Sequence, residues 1–183
     1  MDHPTGAVRA LALAAVLTSA PVFAVDRITL EFGAGDDDTP SFGVAVSRDW
    51  DARWFDSGDW YLGGYWELGM SRWFADDDRS GAHDINQIGL TPVFRLQERQ
   101  PGAFSPYAEI GIGVHFLSST RLNDERKFGS SFQFGDHVGI GFTFGPDQAY
   151  DLGYRFQHLS NAGLNSENSG INFHELRFGM RLP

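Results

Sequence analysis

From about residue 27 to the C-terminus, bulky apolar side chains alternate with small or polar ones, and no other feature of the sequence restricts the fold as strongly. Over residues 104–118, Ala108, Ile110, Ile112, Val114 and Phe116 share one parity while Tyr107, Glu109, Gly111, Gly113 and His115 share the other. Over residues 130–144, Phe132, Phe134, Val138, Ile140, Phe142 and Phe144 oppose Gln133, Gly135, His137, Gly139, Gly141 and Thr143. Trp60, Leu62, Trp66, Leu68 and Met70 likewise oppose Tyr61, Gly63, Tyr65, Glu67 and Gly69. A period of two puts successive side chains on opposite faces of an extended strand. Eight strands are expected, over 27–34, 41–49, 59–72, 84–97, 104–118, 130–144, 148–160 and 171–182. Several exceed the usual length of about 5 to 6 residues in soluble sheets.

Periodicity does not say which face is inside. Side-chain size, taken with export, points to the answer: the polar set mixes glycines with Glu31, Glu67, Arg95, Glu109, Arg155, Glu175 and Arg177. Glycines fit the narrow lumen of an eight-stranded barrel, opposite charges pair there, and the apolar set then meets lipid. The expected fold is therefore all-β, an eight-stranded antiparallel transmembrane β-barrel forming a single domain over 25–183. Pro92 falls inside the fourth strand, lacks a ladder donor, and should mark a bulge.

Export is written at the N-terminus. Arg9 precedes an apolar run from Ala10 to Leu17, and Val22-Phe23-Ala24 ends in small residues, the pattern of a signal peptide over 1–24. That run is too short to span a bilayer as a helix, which takes about 20 residues. The chain has no cysteine, so no disulfide framework holds it together. A net charge of −10 argues against nucleic acid, whose backbone is bound through clustered Lys and Arg. Much of that acidity lies in Asp36-Asp37-Asp38 and Asp76-Asp77-Asp78, read as solvated loop tips. Neither tract has the Gly and closing Glu of an EF-hand, no histidine cluster has zinc-site spacing, and no metal or other cofactor is expected.

Chemistry concentrates at the end of the seventh strand, in His158-Leu159-Ser160-Asn161-Ala162-Gly163-Leu164, followed by Asn168-Ser169-Gly170-Ile171-Asn172. His158 and Ser160 are two apart, so they share a face and the imidazole can serve the hydroxyl as a general base. They continue the lipid-facing row of Leu152, Tyr154 and Phe156. Centring the loop near Ser166 sets Ser160 opposite Asn172 and His158 opposite His174. Centring the preceding turn near Pro146 sets Phe134 opposite His158, with Asp136 one diagonal step away. Asp136 is either a carboxylate in the lipid-facing row, available to orient the histidine, or is turned into the lumen by a bulge. His115 and His137 have lumen parity and are expected in its polar network.

That fifteen-residue stretch resembles the signature of the PagL family of lipid A 3-O-deacylases, and the barrel pattern extends the resemblance over the mature chain. The resemblance implies an outer-membrane barrel whose site faces the outer leaflet and whose substrate is the lipid A of lipopolysaccharide. It further implies metal-independent hydrolysis of the ester at position 3, with release of a 3-hydroxy fatty acid. Carried over by residue, Ser160 is the nucleophile, His158 the general base, and the Asn161 region contributes to the oxyanion site. Where family enzymes can carry a Glu orienting the histidine, this chain has Asn172, with Asp136 as the second choice. A structural or adhesion barrel and a lipid A acyltransferase are the competing readings. The aromatic outer face suits lipid or a second subunit, so a homodimer remains open.

Overall fold

Consecutive antiparallel hairpins account for the whole sheet of the computed structural model, which describes residues 25–183; the expected signal peptide lies outside the described residues. The strands are β1 (Arg27–Gly35), β2 (Thr39–Asp49), β3 (Trp60–Trp73), β4 (Ile85–Glu98), β5 (Phe104–Leu117), β6 (Phe132–Phe144), β7 (Tyr150–Ser160) and β8 (Ile171–Arg181). β8 returns to pair with β1, with Arg27 facing Arg181 and Gly35 facing Phe173, so the sheet closes into an eight-stranded barrel without edges. Closure matters because unpaired backbone N–H and C=O groups cannot be left in hydrocarbon. The segments 36–38, 74–84, 118–131 and 161–170 cluster at one end, the loop end. Both described termini and the remaining turns lie at the other, the terminal end.

Burial decides the faces. Glu67, Arg95, Glu109, Arg155, Glu175 and Arg177 are buried in the lumen, whereas Met70, Ile110, Ile112, Ile140 and Leu176 stand exposed on the outer wall. The lumen charges pair: Arg95 Nη2 lies 2.8 Å from Glu109 and its Nη1 2.6 Å from Asp151. Arg155 meets Glu67 at 2.7 Å and Glu109 at 3.0 Å, and Arg177 reaches Glu31 at 2.8 Å. Buried charges are tolerated in such a lumen where each has a partner of opposite sign, as Glu67, Arg95, Glu109, Arg155 and Arg177 do; Glu175 has no such partner among the described residues. His115 bonds Gln87, while neither nitrogen of His137 has a partner among the described residues, so of the two only His115 joins the network.

Aromatic rings ring the outer wall at both ends, as at the two interfaces of a membrane barrel. At the loop end Phe32 packs on Phe42 at 5.4 Å and Phe132 on Phe134 at 5.0 Å. At the terminal end Phe104 stacks on Phe144, Tyr150 on Phe178, and Trp50 packs edge-on to Phe94. The 50–58 segment, long for a turn, folds back along β3 through a Trp54–Leu62 bridge and supplies Trp50 and Trp54 to this girdle.

The bulge expected at Pro92 is absent, and of the two alternatives for Asp136 the outward carboxylate holds. Leu90 faces Val114 and Val93 faces Gly111, an equal advance on both strands, so Pro92 costs two rungs of pairing with β5 but inserts no residue. The β6–β7 register likewise runs unbroken past Asp136, which stays exposed on the outer face.

One departure from the small-or-polar lumen bears on the site. At the loop end the inward positions are large and apolar: Trp73, Ile85, Leu117, Leu159, Ile171 and Phe173 pack with Leu122 and Phe128 from the loop before β6. This plug closes the top of the polar lumen.

Candidate active site

Leu159 is driven into the plug, 1% exposed, and this fixes the direction of its neighbours. With Leu159 inward, the pleat sends His158 and Ser160 outward, where both are half-buried on the lipid-facing wall. His158 sits between two strands, facing Asp136 on β6 and Asn172 on β8. Both registers differ from the expectation by two residues: Phe134 faces Ser160, and His174 faces Phe156. The cause lies in the connections. Gln148 N–H bonds Gly145 O and Ala149 N–H bonds Pro146 O, which centres the hairpin on Asp147. A tight turn opening with Leu164 N–H on Asn161 O shifts the next loop in the same way. A shift of two preserves the faces, so the parity argument survives while the partners change.

Asn172 is thereby brought directly onto the histidine. His158 Nδ1 and Asn172 Oδ1 are 2.8 Å apart. The Asn172 side chain donates from Nδ2 to Asp36 Oδ2 at 3.0 Å, and its backbone N–H donates to the same oxygen at 3.0 Å. No hydrogen bond joins His158 to Ser160 among the described residues; the two are neighbours on one face. Such bonds are often long before substrate arrives and tighten in the complex. Asp136 faces His158 but has no hydrogen bond or ion pair among the described residues.

Asn161, expected near an oxyanion site, is fully buried and committed elsewhere. Its Nδ2 donates to Phe128 O at 2.8 Å and to Glu167 O at 2.7 Å, its backbone N–H donates to Asn168 Oδ1 at 2.8 Å, and its Oδ1 accepts Gly163 N–H at 2.9 Å. All its donors are used, so it clamps the β7–β8 loop onto the plug and has no donor to spare for a substrate oxygen. Gly170 gives the imidazole its space. It has φ +62°, and a Cβ there would lie 3.0 Å from His158 Cε1. Both the backbone conformation and the close approach therefore favour glycine.

Arg126 joins three loops around this centre. It donates to Asp37 and to the carbonyl of Gly170, and its Nη1 lies 3.7 Å from Asp36 Oδ2. The Arg126 hydrogen bond holds the Asp37 carboxyl below the usual aspartate range, with Arg79 adding to the effect against a smaller opposing cost of burial. Neither Asp36 nor Arg126 stood out in the sequence. Asp36 looked like part of a solvated acidic tip, and only the β1–β8 closure brings it beside a residue 136 positions away. His174 lies further down the same outer wall, its Nδ1 2.6 Å from Tyr154 Oη. Among the described residues no group of three His, Asp or Glu could hold a metal ion. The arrangement offers a hydroxyl, an imidazole with a fixed Nδ1 partner, and a rigid loop, which are the parts of a nucleophile–base pair.

Comparison with known proteins agrees in sequence and in fold. Residues 41–181 match the model of the family described as lipid A 3-O-deacylase (PagL). The lipid A deacylase PagL of Pseudomonas aeruginosa is 34% identical over 168 residues, covering 91% of this chain and 93% of the relative. The protein of the same name from Bordetella bronchiseptica is 40% identical over 124 residues, 64% of this chain and 65% of the relative. A crystal structure of the outer membrane enzyme PagL superposes with a TM-score of 0.77 at 30% identity, covering 85% of this chain and 99% of that one.

Proposed function

The chain belongs to the lipid A 3-O-deacylase (PagL) family, and from that premise we propose that it is an outer-membrane esterase removing the 3-hydroxyacyl chain from position 3 of lipid A, with Ser160 as nucleophile and His158 as base. The observation that carries this reading is the His158–Asn172 hydrogen bond beside Ser160, on the wall that meets lipid. With Asn172 Oδ1 accepting from Nδ1–H, the free lone pair of the imidazole is on Nε2, the nitrogen available to Ser160. A polar pair on a lipid-facing surface is costly unless it serves a ligand, and an acyl chain in the outer leaflet reaches it laterally.

The reaction divides into two displacements. His158 Nε2 takes the proton of Ser160 as its oxygen attacks the ester carbonyl, and the tetrahedral intermediate collapses by expelling the sugar 3-hydroxyl, which takes the proton back from His158. Water, deprotonated by the same nitrogen, then attacks the acyl-serine, and collapse frees the 3-hydroxy fatty acid while His158 returns the proton to the leaving Ser160 oxygen. Since Asn161 has no free donor, the oxyanion is assigned to the backbone of the loop that it clamps, where the N–H of Ala162 has no partner among the described residues.

Purified protein incubated with lipopolysaccharide, alongside Ser160→Ala and His158→Ala, tests the proposal by mass spectrometry of the lipid A. The wild type should remove one hydroxyacyl group, and each variant should leave the substrate whole. Equal loss in wild type and Ser160→Ala would remove the serine mechanism. A gain of mass would mean acyl transfer.

A further inference from the structure

The third member of the site is a neutral amide, and an amide has two ends. Presented by its oxygen, Asn172 accepts from His158 Nδ1–H and leaves Nε2 basic. Presented by its nitrogen, it would donate to Nδ1 and place the proton on Nε2, which disables the base. Something must choose between these orientations, and Asn172 Oδ1 itself has no charge with which to do so.

Asp36 meets the requirement. An ionised carboxylate only accepts hydrogen bonds, so the 3.0 Å contact to Asp36 Oδ2 must come from Asn172 Nδ2. The planar amide then has to turn Oδ1 toward His158, where it lies 2.8 Å from Nδ1. The backbone N–H of Asn172 bonds the same carboxylate oxygen at 3.0 Å, fixing that oxygen against the start of β8. Arg126 stands 3.7 Å from Asp36 Oδ2, but its hydrogen bonds go to Asp37 and Gly170 O, which steadies the loop without occupying the amide.

We propose that Asp36 is a positioning residue for the deacylation, acting through Asn172 to hold the imidazole of His158 as the Nδ1–H tautomer and to place one negative charge behind it as it becomes imidazolium. The inference rests on the esterase reading above. In this chain the charge that a directly bonded carboxylate supplies elsewhere is set back by one amide and comes from another loop. An outer partner of this kind acts through one more bond than a direct orienter. Replacing a directly bonded carboxylate by its amide lowers kcat about 10⁴-fold, largely because the histidine takes the wrong tautomer; removing Asp36, one bond further out, should lower it less, about 10- to 100-fold, as for outer partners of metal-bound histidines.

The test uses Asp36→Asn, Asn172→Glu and the double variant, each checked for the heat-modifiable migration of a folded barrel. Asp36→Asn keeps the shape and an acceptor but loses the charge and the acceptor-only character. Its kcat on lipopolysaccharide should fall with KM unchanged. Asn172→Glu alone sets two carboxylates in contact and should also fall. Combined with Asp36→Asn, the same Glu bonds His158 directly without that repulsion, and kcat should recover toward wild type. A merely structural role for Asp36 would not reverse the sign of the Asn172→Glu effect. A second readout needs no activity: ¹⁵N shifts of labelled histidine in micelles should report Nδ1–H at His158 in the wild type and a mixed or Nε2–H state in Asp36→Asn. An unchanged tautomer, or additive effects of the two substitutions in an active enzyme, overturns the proposal. An inactive wild type whose His158 tautomer does depend on Asp36 overturns the esterase reading instead.

Discussion

Phe128→Ala isolates the apolar plug from the barrel wall and from the hydrogen bonds of the site. The ring is wholly buried, lies 6.1 Å from that of Trp73, and belongs to the β5–β6 loop. Its backbone carbonyl, which receives Asn161 Nδ2 at 2.8 Å, is untouched by the substitution. A buried Phe→Ala change costs about 3 to 5 kcal/mol through lost transfer energy and the residual cavity. No strand-to-strand hydrogen bond is altered, so the loss falls on docking of the loop. At about 1.4 kcal/mol per factor of ten, the undocked population rises by about two to three and a half orders of magnitude. Trypsin reads this out, because Arg121, Arg126 and Lys127 all lie in that loop. When reclosing outpaces cutting, the cleavage rate follows the open population. The variant should therefore be nicked in this loop at least about a hundredfold faster by the same arithmetic, while its barrel keeps its heat-modifiable migration. Deacylation follows the docked fraction and should fall only as far as that fraction does, since the loop carries the carbonyl that clamps Asn161 and the Arg126 that holds Gly170 O. A cleavage rate within about threefold of wild type, against the shift expected from the open population, would refute the idea that the plug supports the site.

Gly170→Ala should lower kcat at least about tenfold with the barrel intact, because a left-handed alanine costs about 1 to 2 kcal/mol and its Cβ would crowd His158 Cε1; unchanged kinetics would show that the ring is not confined there. Ile140→Arg, on the outer wall of β6, should lose about 2 to 4 kcal/mol of stability when unfolded by urea from lipid vesicles, since the side chain at 140 is 64% exposed to the surroundings. A loss under about 0.5 kcal/mol, as for an ordinary water-exposed site, would contradict the lipid-facing assignment. The Asp37 carboxyl is held below its ordinary value of 3.8. Its contribution to loop docking is thus complete above that pH and is lost as pH falls through the lower, folded value. Loop proteolysis by an acid-active protease should accelerate below about pH 4 less steeply in Asp37→Asn than in wild type; identical profiles would assign the acid sensitivity elsewhere.

The two loop tracts show how far sequence reasoning reached. Asp76-Asp77-Asp78 remains a loop tip, its charges partly exposed at residues such as Asp76 beside Arg79. Asp36-Asp37-Asp38, alike in composition, became part of the site, because Arg126 comes to it from a loop 89 positions away and Asn172 from the start of β8, 136 positions away. Composition describes a segment's preference for water. It carries no information about what distant chain arrives beside it.

Sequence alone determined the barrel, its strands and the outward direction of His158 and Ser160, because side-chain parity is local, each residue's face following from its neighbour's, and side-chain size tells the two faces apart. It also singled out the His158 to Asn172 stretch, whose resemblance named the family that the comparisons then showed. Register was beyond it by two residues on both sides of β7, since turns of similar composition can be centred on adjacent residues and parity is blind to an even shift. Pro92 suggested a bulge, and Asp136 left one open as an alternative, where the ladder simply carries on. Tertiary structure alone decided that Asn172 bonds His158, that Asp36 stands behind it, and that large inward residues plug the loop end. Each depends on closing β8 against β1 or on docking a loop into the barrel mouth. Those contacts are fixed by the packing of the whole chain, and no period in the sequence encodes them.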